Sequence, residues 1–178
     1  PDPATVEDAL VCTWVNYIDN DEDADQSTLI WEINGSEAGT DTTLTSGYTG
    51  GDNVTCTVTP FDGNEEGDPV TTSITIENTP PSIGSVEVSP DPATTSDLLI
   101  CSWTDFYDAD GNADQSEIEW TVDGVSAGSG ITLSSGFTGG DSVQCTVTPY
   151  DGTDYGTALT ATVTIDNSVP SITAAALH

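Results

Sequence analysis

Hydrophobic and polar residues alternate along this chain in short runs. In "NVTCTVTP", residues 53–60, the side chains of Val54, Cys56 and Val58 fall on one side and threonines on the other. Such alternation places successive side chains on opposite faces of a β-strand. Glycine, proline, asparagine and aspartate separate the runs, as expected of turns. The pattern therefore predicts an all-β protein, and no apolar run reaches the ~20 residues of a membrane-spanning helix.

The same alternation predicts which residues face inward in each half of the chain. In the first half these are Leu10, Cys12, Trp14, Leu29, Trp31, Ile33, Val54, Cys56, Val58, Ile74 and Ile76. In the second half they are Leu99, Cys101, Trp103, Ile118, Trp120, Val122, Val143, Cys145, Val147, Val163 and Ile165. Two matching sets of inward positions predict two separate cores.

The chain contains an internal repeat. Shifted by 89 positions, "GGDNVTCTVTPFDG" falls on "GGDSVQCTVTPYDG" without a gap. We therefore predict two tandem domains, residues 1–79 and 80–169. The segment "PPSIGSVEVS", which opens the second copy, has no counterpart ahead of Pro1, whereas "VPSITAAALH" at residues 169–178 resembles it. Residues 170–178 are thus predicted to be the first strand of a further domain, and a neighbouring copy to supply the first domain with its missing strand.

Three interpretations of this last segment compete. The interpretation that we favour is that the chain is one period of a longer continuous array, cut at an arbitrary point. The second is that "AAALH" is the start of a vector-derived tag. Alternatively, the strand inserts into the next subunit by strand addition. Both the array and strand addition predict a head-to-tail fibre.

The charge balance restricts the possible partners. The 178 residues include 31 Asp and Glu, no Lys or Arg and one His, for a net charge of −31. Nucleic acids and anionic membranes would be repelled, which leaves metal ions, sugars and proteins. Without lysine, a Lys–Asn isopeptide crosslink cannot form. Because the histidine is His178, a histidine-dependent catalytic site cannot recur in both copies, and we predict no enzyme.

Two acidic segments carry the candidate chemistry, "IDNDEDADQS" at 18–27 and "YDADGNADQS" at 107–116. Their oxygen-bearing side chains recur at alternate positions: Asp19, Asp21, Asp23, Asp25, Asp108, Asp110, Asn112 and Asp114. An all-oxygen ligand set with this spacing suits calcium and offers nothing to zinc or copper. An EF-hand loop also needs a distal glutamate ligand, and the two copies share no such glutamate, so these segments are not EF-hands. The competing interpretation is a solvated acidic surface adapted to high salt.

The order Cys12…Trp31…Cys56, repeated as Cys101…Trp120…Cys145, resembles the immunoglobulin-like β-sandwich. This resemblance implies one B–F disulfide per domain, Cys12–Cys56 and Cys101–Cys145, and hence an extracellular location. Four buried free thiols are the alternative, and zinc is disfavoured because no Cys-x-x-Cys pair occurs. The repeats also resemble the cadherin-like and polycystic-kidney-disease-like modules of long bacterial surface proteins.

The resemblance also implies where further calcium ligands lie. In an immunoglobulin-like sandwich the B–C and F–G loops meet at one end, so Asp62 and Asp151 are expected beside the acidic loops. Cadherin-like proteins bind calcium between successive domains. By that likeness, Glu77 and Asn78 are expected to reach the ion of the second copy.

Two other features are weaker signals. Asn34 and Asn53 begin N-glycosylation sequons that the second copy does not share. The recurring aromatic pairs Tyr48/Phe137 and Phe61/Tyr150 are expected at the core rim, with a sugar-binding platform as the second interpretation. The sequence thus predicts a repeat unit of an extracellular, calcium-stiffened filament or cell-surface rod that associates with copies of itself. The alternative is an adhesin domain that binds carbohydrate or surface proteins.

Overall fold

The computed structural model of the chain describes residues 2–175, and all of its regular secondary structure is β. Pro1 and residues 176–178 lie outside the described residues, and residues 176–178 are part of the strand predicted over 170–178. The strands are β1 (Leu10–Val11), β2 (Thr28–Ile33), β3 (Ser36–Gly39), β4 (Thr43–Leu44), β5 (Asn53–Thr59), β6 (Val70–Thr75), β7 (Ser85–Ser89), β8 (Ala93–Thr94), β9 (Leu99–Thr104), β10 (Glu117–Val122), β11 (Val125–Ser129), β12 (Thr132–Leu133), β13 (Ser142–Thr148) and β14 (Leu159–Asp166).

The chain divides into two units. Unit 1 ends at Thr79 and also includes Ala109–Gly111, and unit 2 begins at Pro80. Unit 1 has a four-stranded sheet in the order β3-β2-β5-β6 and a short pair, β1-β4. Unit 2 has a five-stranded sheet in the order β11-β10-β13-β14-β8 and a three-stranded sheet, β12-β9-β7. The predicted fold class is confirmed: two tandem immunoglobulin-like sandwiches, each built from two sheets.

A tryptophan and a disulfide lie at the centre of each unit. Trp31 is 4% exposed and its indole N–H donates to the carbonyl of Asp41 at 2.8 Å. Trp120 is fully buried and donates in the same way to Gly130 at 2.9 Å. The alternating positions of β5 and β13 point into these cores as predicted.

The two predicted disulfides are present. Cys12 and Cys56 are joined with their Cα atoms 6.5 Å apart, and Cys101 and Cys145 with theirs 6.2 Å apart. In unit 2 the bond links the two sheets, because Cys101 lies in β9 and Cys145 in β13, whereas in unit 1 it joins Cys56 of β5 to Cys12, directly after β1. Each closes a loop of the same sequence separation, 44 residues.

One predicted core position is wrong. Trp14 is 37% exposed, whereas its counterpart Trp103 is partly buried and packs against the core of unit 2. The difference follows from β7, which pairs with β9 and places Val86 opposite Trp103. No described strand pairs with Cys12–Trp14, and β1 is only two residues long.

The aromatic pair Tyr48 and Phe137 is buried, with 4% and 7% of each side chain exposed. Tyr48 donates its hydroxyl hydrogen to the carbonyl of Asp8. These two aromatics belong to the cores, so they cannot form a sugar-binding platform.

Candidate functional site

The acidic loop of unit 1 is held by hydrogen bonds from its own backbone. Asp19 Oδ1 accepts the backbone N–H of Asp21 at 2.8 Å and of Asp23 at 3.1 Å. In unit 2, Asp108 Oδ1 accepts the N–H of Asn112 at 2.8 Å. The first carboxylate of each loop therefore organises the turn that follows it.

The last carboxylate of each loop joins the loop to a tryptophan. Asp25 Oδ1 accepts the backbone N–H and hydroxyl of Ser27, and its Oδ2 accepts the indole N–H of Trp14 at 3.0 Å. The Ser27 bonds, followed by the Trp14 bond, lower the pKa of Asp25 below its ordinary value. Asp114 makes the same bonds, with Trp103 at 2.9 Å. Burial works to raise the pKa of Asp114, but its hydrogen bonds outweigh burial and lower it.

The structure brings the β5–β6 loop, which contains Asp62, and the β13–β14 loop, which contains Asp151, next to the acidic loop of the same unit. The Gln26 side chain donates to the carbonyl of Asp62 at 3.2 Å, and its backbone N–H donates to Phe61 at 2.8 Å. Gln115 repeats both bonds with Asp151 and Tyr150, at 3.1 and 2.8 Å. Sequence reasoning passed over these two glutamines, although "ADQS" occurs in both copies.

The Asp62 and Asp151 carboxylates cap their own turns. Asp62 Oδ1 accepts the N–H groups of Asn64 at 2.6 Å and Glu65 at 2.7 Å, and these bonds, that of Glu65 first, lower its pKa. Asp151 Oδ1 accepts those of Thr153 and Asp154 at the same distances. Asp151 is only 3% exposed. The two amide donors offset part of the cost of taking this carboxylate out of water.

Carboxylates gather around Tyr17 in unit 1. Asp19, Asp62, Glu65 and Glu66 line one open cavity of about 190 Å³ together with Tyr17. Burial raises the pKa of the Tyr17 hydroxyl, and the charges of Asp19, Asp62 and the rest of the acidic loop raise it further. The loops thus create a concentrated negative field at this end of unit 1.

Asp110, a predicted metal ligand, binds backbone amides of unit 1. Its Oδ1 accepts the N–H of Gly50 and its Oδ2 that of Thr79, both at 2.6 Å. A side chain at position 50 would be obstructed, because its Cβ would lie 2.8 Å from the Asn78 Cα and 3.0 Å from Asp110 Oδ1. Asn78 is therefore close to Asp110, whereas Glu77 is exposed, and its backbone N–H donates to Ala4 at 2.7 Å.

One oxygen in the second acidic loop has no protein partner. Asp108 Oδ2 is buried and accepts no hydrogen bond. Leaving a carboxylate oxygen desolvated and unpaired is costly, and a bound cation would offset that cost. Across residues 2–175, however, no group of three or more His, Cys, Asp or Glu side chains is arranged to hold one metal ion. In the first acidic loop, the predicted ligands Asp21 and Asp23 are exposed.

The two sequons have structural roles. Asn34 and Gly35 form the β2–β3 turn with φ values of 51° and 81°, and Asp123 and Gly124 form the β10–β11 turn with 48° and 78°. Asn34 Oδ1 accepts the N–H of Asn53 at 3.0 Å, as Asp123 accepts that of Ser142. What Asn34 and Asp123 share is therefore the side-chain oxygen that accepts this hydrogen bond. Glycosylation at Asn34 or Asn53 stays a prediction.

No helix within residues 2–175 has the length and hydrophobicity to cross a bilayer. Several carboxylates of the described loops accept hydrogen bonds from backbone N–H groups. The features that recur in both units are a disulfide-linked core and two joined loops.

Comparison with known proteins supports the architecture. No protein-family model and no curated protein matches the chain. Among solved structures, it is similar to a two-domain fibronectin type-III segment of chicken tenascin, with a TM-score of 0.52 and 13% sequence identity. The match covers 92% of this chain and 95% of that segment. At this identity the likeness is one of fold: the chain is a tandem pair of immunoglobulin-like, fibronectin type-III-like sandwiches.

Proposed function

We propose that this chain is a structural repeat unit of an extracellular filament or cell-surface rod. In this proposal, copies associate head to tail, and calcium bound at the acidic loops limits bending. The observation that carries it is the repetition itself: one 89-residue pattern builds two units, each with its own core and its own disulfide. Units that each have a core and a disulfide, joined in series, are suited to spacing and projection.

The disulfides and the fold support the location. Disulfides form in oxidising compartments, and both bonds here belong to the cores. Fibronectin type-III-like domains are typically extracellular and non-enzymatic, which agrees with a mechanical role.

The charge distribution supports calcium. With 31 acidic residues and no Lys or Arg, repulsion opposes compaction unless cations screen it. Asp19 and Asp62 already share one cavity, and Asp108 Oδ2 is buried without a partner. A divalent ion at these oxygens would reduce the repulsion between carboxylates and would also offset the cost of the buried, unpaired oxygen.

Thermal unfolding tests the calcium proposal. Calcium at 100 times its Kd should stabilise the folded chain by about 2.7 kcal/mol, and NaCl of equal ionic strength should not. The Asp19→Asn/Asp62→Asn variant should lose this gain in unit 1, whereas Asp41→Asn, an exposed change outside the loops, should keep it. A stabilisation that NaCl reproduces would instead support the salt-adapted surface.

A second candidate function, carbohydrate-binding adhesin, has one observation in its favour. Tyr155 is 52% exposed and stacks on Tyr150, with 4.3 Å between ring centroids. Its hydroxyl hydrogen is donated to Glu117 at 3.1 Å. An exposed stacked aromatic beside a carboxylate can hold a sugar ring. Glycan-array binding that is lost in Tyr155→Ala but kept in Tyr107→Ala would favour this function.

A further inference from the structure

Unit 1 has an open apolar groove along one edge of its core, the edge groove. It consists of two adjoining cavities of about 370 and 210 Å³ that share Cys12, Cys56 and Thr72. One wall is the stretch of residues 10–17, and the other is formed by β5 and β6. The disulfide of unit 1 thus lines an open groove.

In unit 2 a strand occupies the corresponding place. β7 pairs antiparallel with β9, placing Val86 opposite Trp103 and Val88 opposite Cys101. It also lies close to β13 and β14, the counterparts of β5 and β6. Ile83, Val86 and Val88 pack against the unit 2 core. The second repeat therefore shows what fills the space that is open in the first.

Residues around the edge groove are more exposed than their counterparts. Val70 is 69% exposed, whereas Leu159 is partly buried, and Ile74 is partly buried where Val163 is buried. Val15, beside the open backbone edge, is 81% exposed. Apolar side chains and unpaired strand backbone together form a surface suited to an added strand.

We propose that the edge groove binds residues 170–177 of a second copy as a β-strand antiparallel to residues 12–15. With the 89-residue shift, Ile172 takes the place of Ile83, and Ala175 and Leu177 those of Val86 and Val88. The register of β7 then sets Ala175 opposite Trp14. The inference rests on the proposed head-to-tail association and names the surfaces that join.

Two properties of the donor segment support this choice. Within residues 2–175, β14 ends at Asp166 and no strand follows it, and Ile172 is 89% exposed. The segment "PSITAAAL" carries no charge. In a chain of net charge −31, a neutral strand can approach a second copy without adding to the repulsion between them.

Peptide binding tests the site. The receptor is the full chain carrying Ile172→Asp, so that its own donor segment is disabled, and the probe is a labelled peptide of residues 169–178. We expect saturable binding that changes Trp14 fluorescence, because this side chain is 37% exposed and would be covered. The peptide with Ile172→Asp should bind at least about tenfold more weakly, because it cannot bury the isoleucine.

A self-complemented variant provides the control. Residues 80–89 are added directly ahead of Pro1, which reproduces the Ser89–Pro90 connection of the second copy. This variant should not bind the peptide, because its groove is filled in cis. Absence of peptide binding to the receptor, or equal binding to the self-complemented variant, would overturn the proposed site. Light scattering measures self-association separately, as the mass of the unmodified chain, of the Ile172→Asp chain and of the self-complemented variant. Assembly that persists in both altered chains would retain the filament and exclude this groove as the contact.

Discussion

Removing one disulfide should have a large and unit-specific effect. The perturbation is Cys12→Ala/Cys56→Ala in unit 1, compared with Cys101→Ala/Cys145→Ala in unit 2. Both bonds span 44 residues. In the loop-entropy account each therefore stabilises its unit by about 4 kcal/mol.

This magnitude should decide whether unit 1 stays folded. Domains of this size are stable by only about 5–15 kcal/mol, and unit 1 already exposes apolar surface along its edge groove. With an m-value of about 2 kcal/mol/M in urea, the loss corresponds to a midpoint lower by about 2 M. All four cysteines are buried, so either unit should also incur a cavity cost on replacement.

Urea titration followed by hydrogen–deuterium exchange mass spectrometry measures this unit by unit. We expect early exchange in peptides of the altered unit only. A midpoint shift below about 0.5 M, equivalent to about 1 kcal/mol, would refute the entropic argument. Unfolding of the unaltered unit at the same urea concentration would refute the independence of the two cores.

Three further outcomes are expected. Hydrogen bonds from Thr49 and Asn34 lower the pKa of Asp52, and hydrogen bonds from Glu65 and Asn64 lower the pKa of Asp62. Because both pKa values are below the ordinary 3.8 in the folded chain, the ionised carboxylates stabilise the fold. The stability measured by circular dichroism should therefore be full above about pH 4 and should fall as the pH drops through the lowered pKa values. Gly152→Ala should destabilise unit 2 in chemical denaturation, because the residue has a φ of +101° and a Cβ would lie 2.4 Å from the side-chain nitrogen of Gln115. Gly130→Ala is the control for positive φ alone, since no atom lies within 4 Å of the Cβ position. Trp120→Ala should cost about 3–5 kcal/mol in urea unfolding, and an unchanged midpoint would contradict its place at the centre of the core.

Much of the fold could be predicted because its signals are local or repeated. Strand alternation identified the inward faces of β5 and β13, and the Cys…Trp…Cys order indicated the two disulfides. Trp14 could not be predicted correctly, since its burial depends on a partner strand, and among residues 2–175 such a strand covers Trp103 but not Trp14. An alternation pattern records which face a residue is on but not whether another strand covers it.

The candidate site was harder to predict because carboxylates have several possible partners. The spacing of the acidic loops singled out segments rich in oxygen ligands, but in the structure Asp25 and Asp114 bind tryptophan indoles 11 residues away. Asp110 binds the amides of Gly50 and Thr79. Such pairings depend on tertiary approach, which no spacing rule encodes. Calcium binding therefore stays a prediction, supported by the charge and oxygen chemistry of the loops.

Electron microscopy of the purified chain, in millimolar calcium and then in excess EDTA, tests the central claim most directly. Long beaded fibres that become limp or dissociate in EDTA are the predicted result, because head-to-tail copies would lose the ions that limit their bending. Discrete two-domain particles that look the same in calcium and in EDTA would contradict the proposed filament and its calcium stiffening.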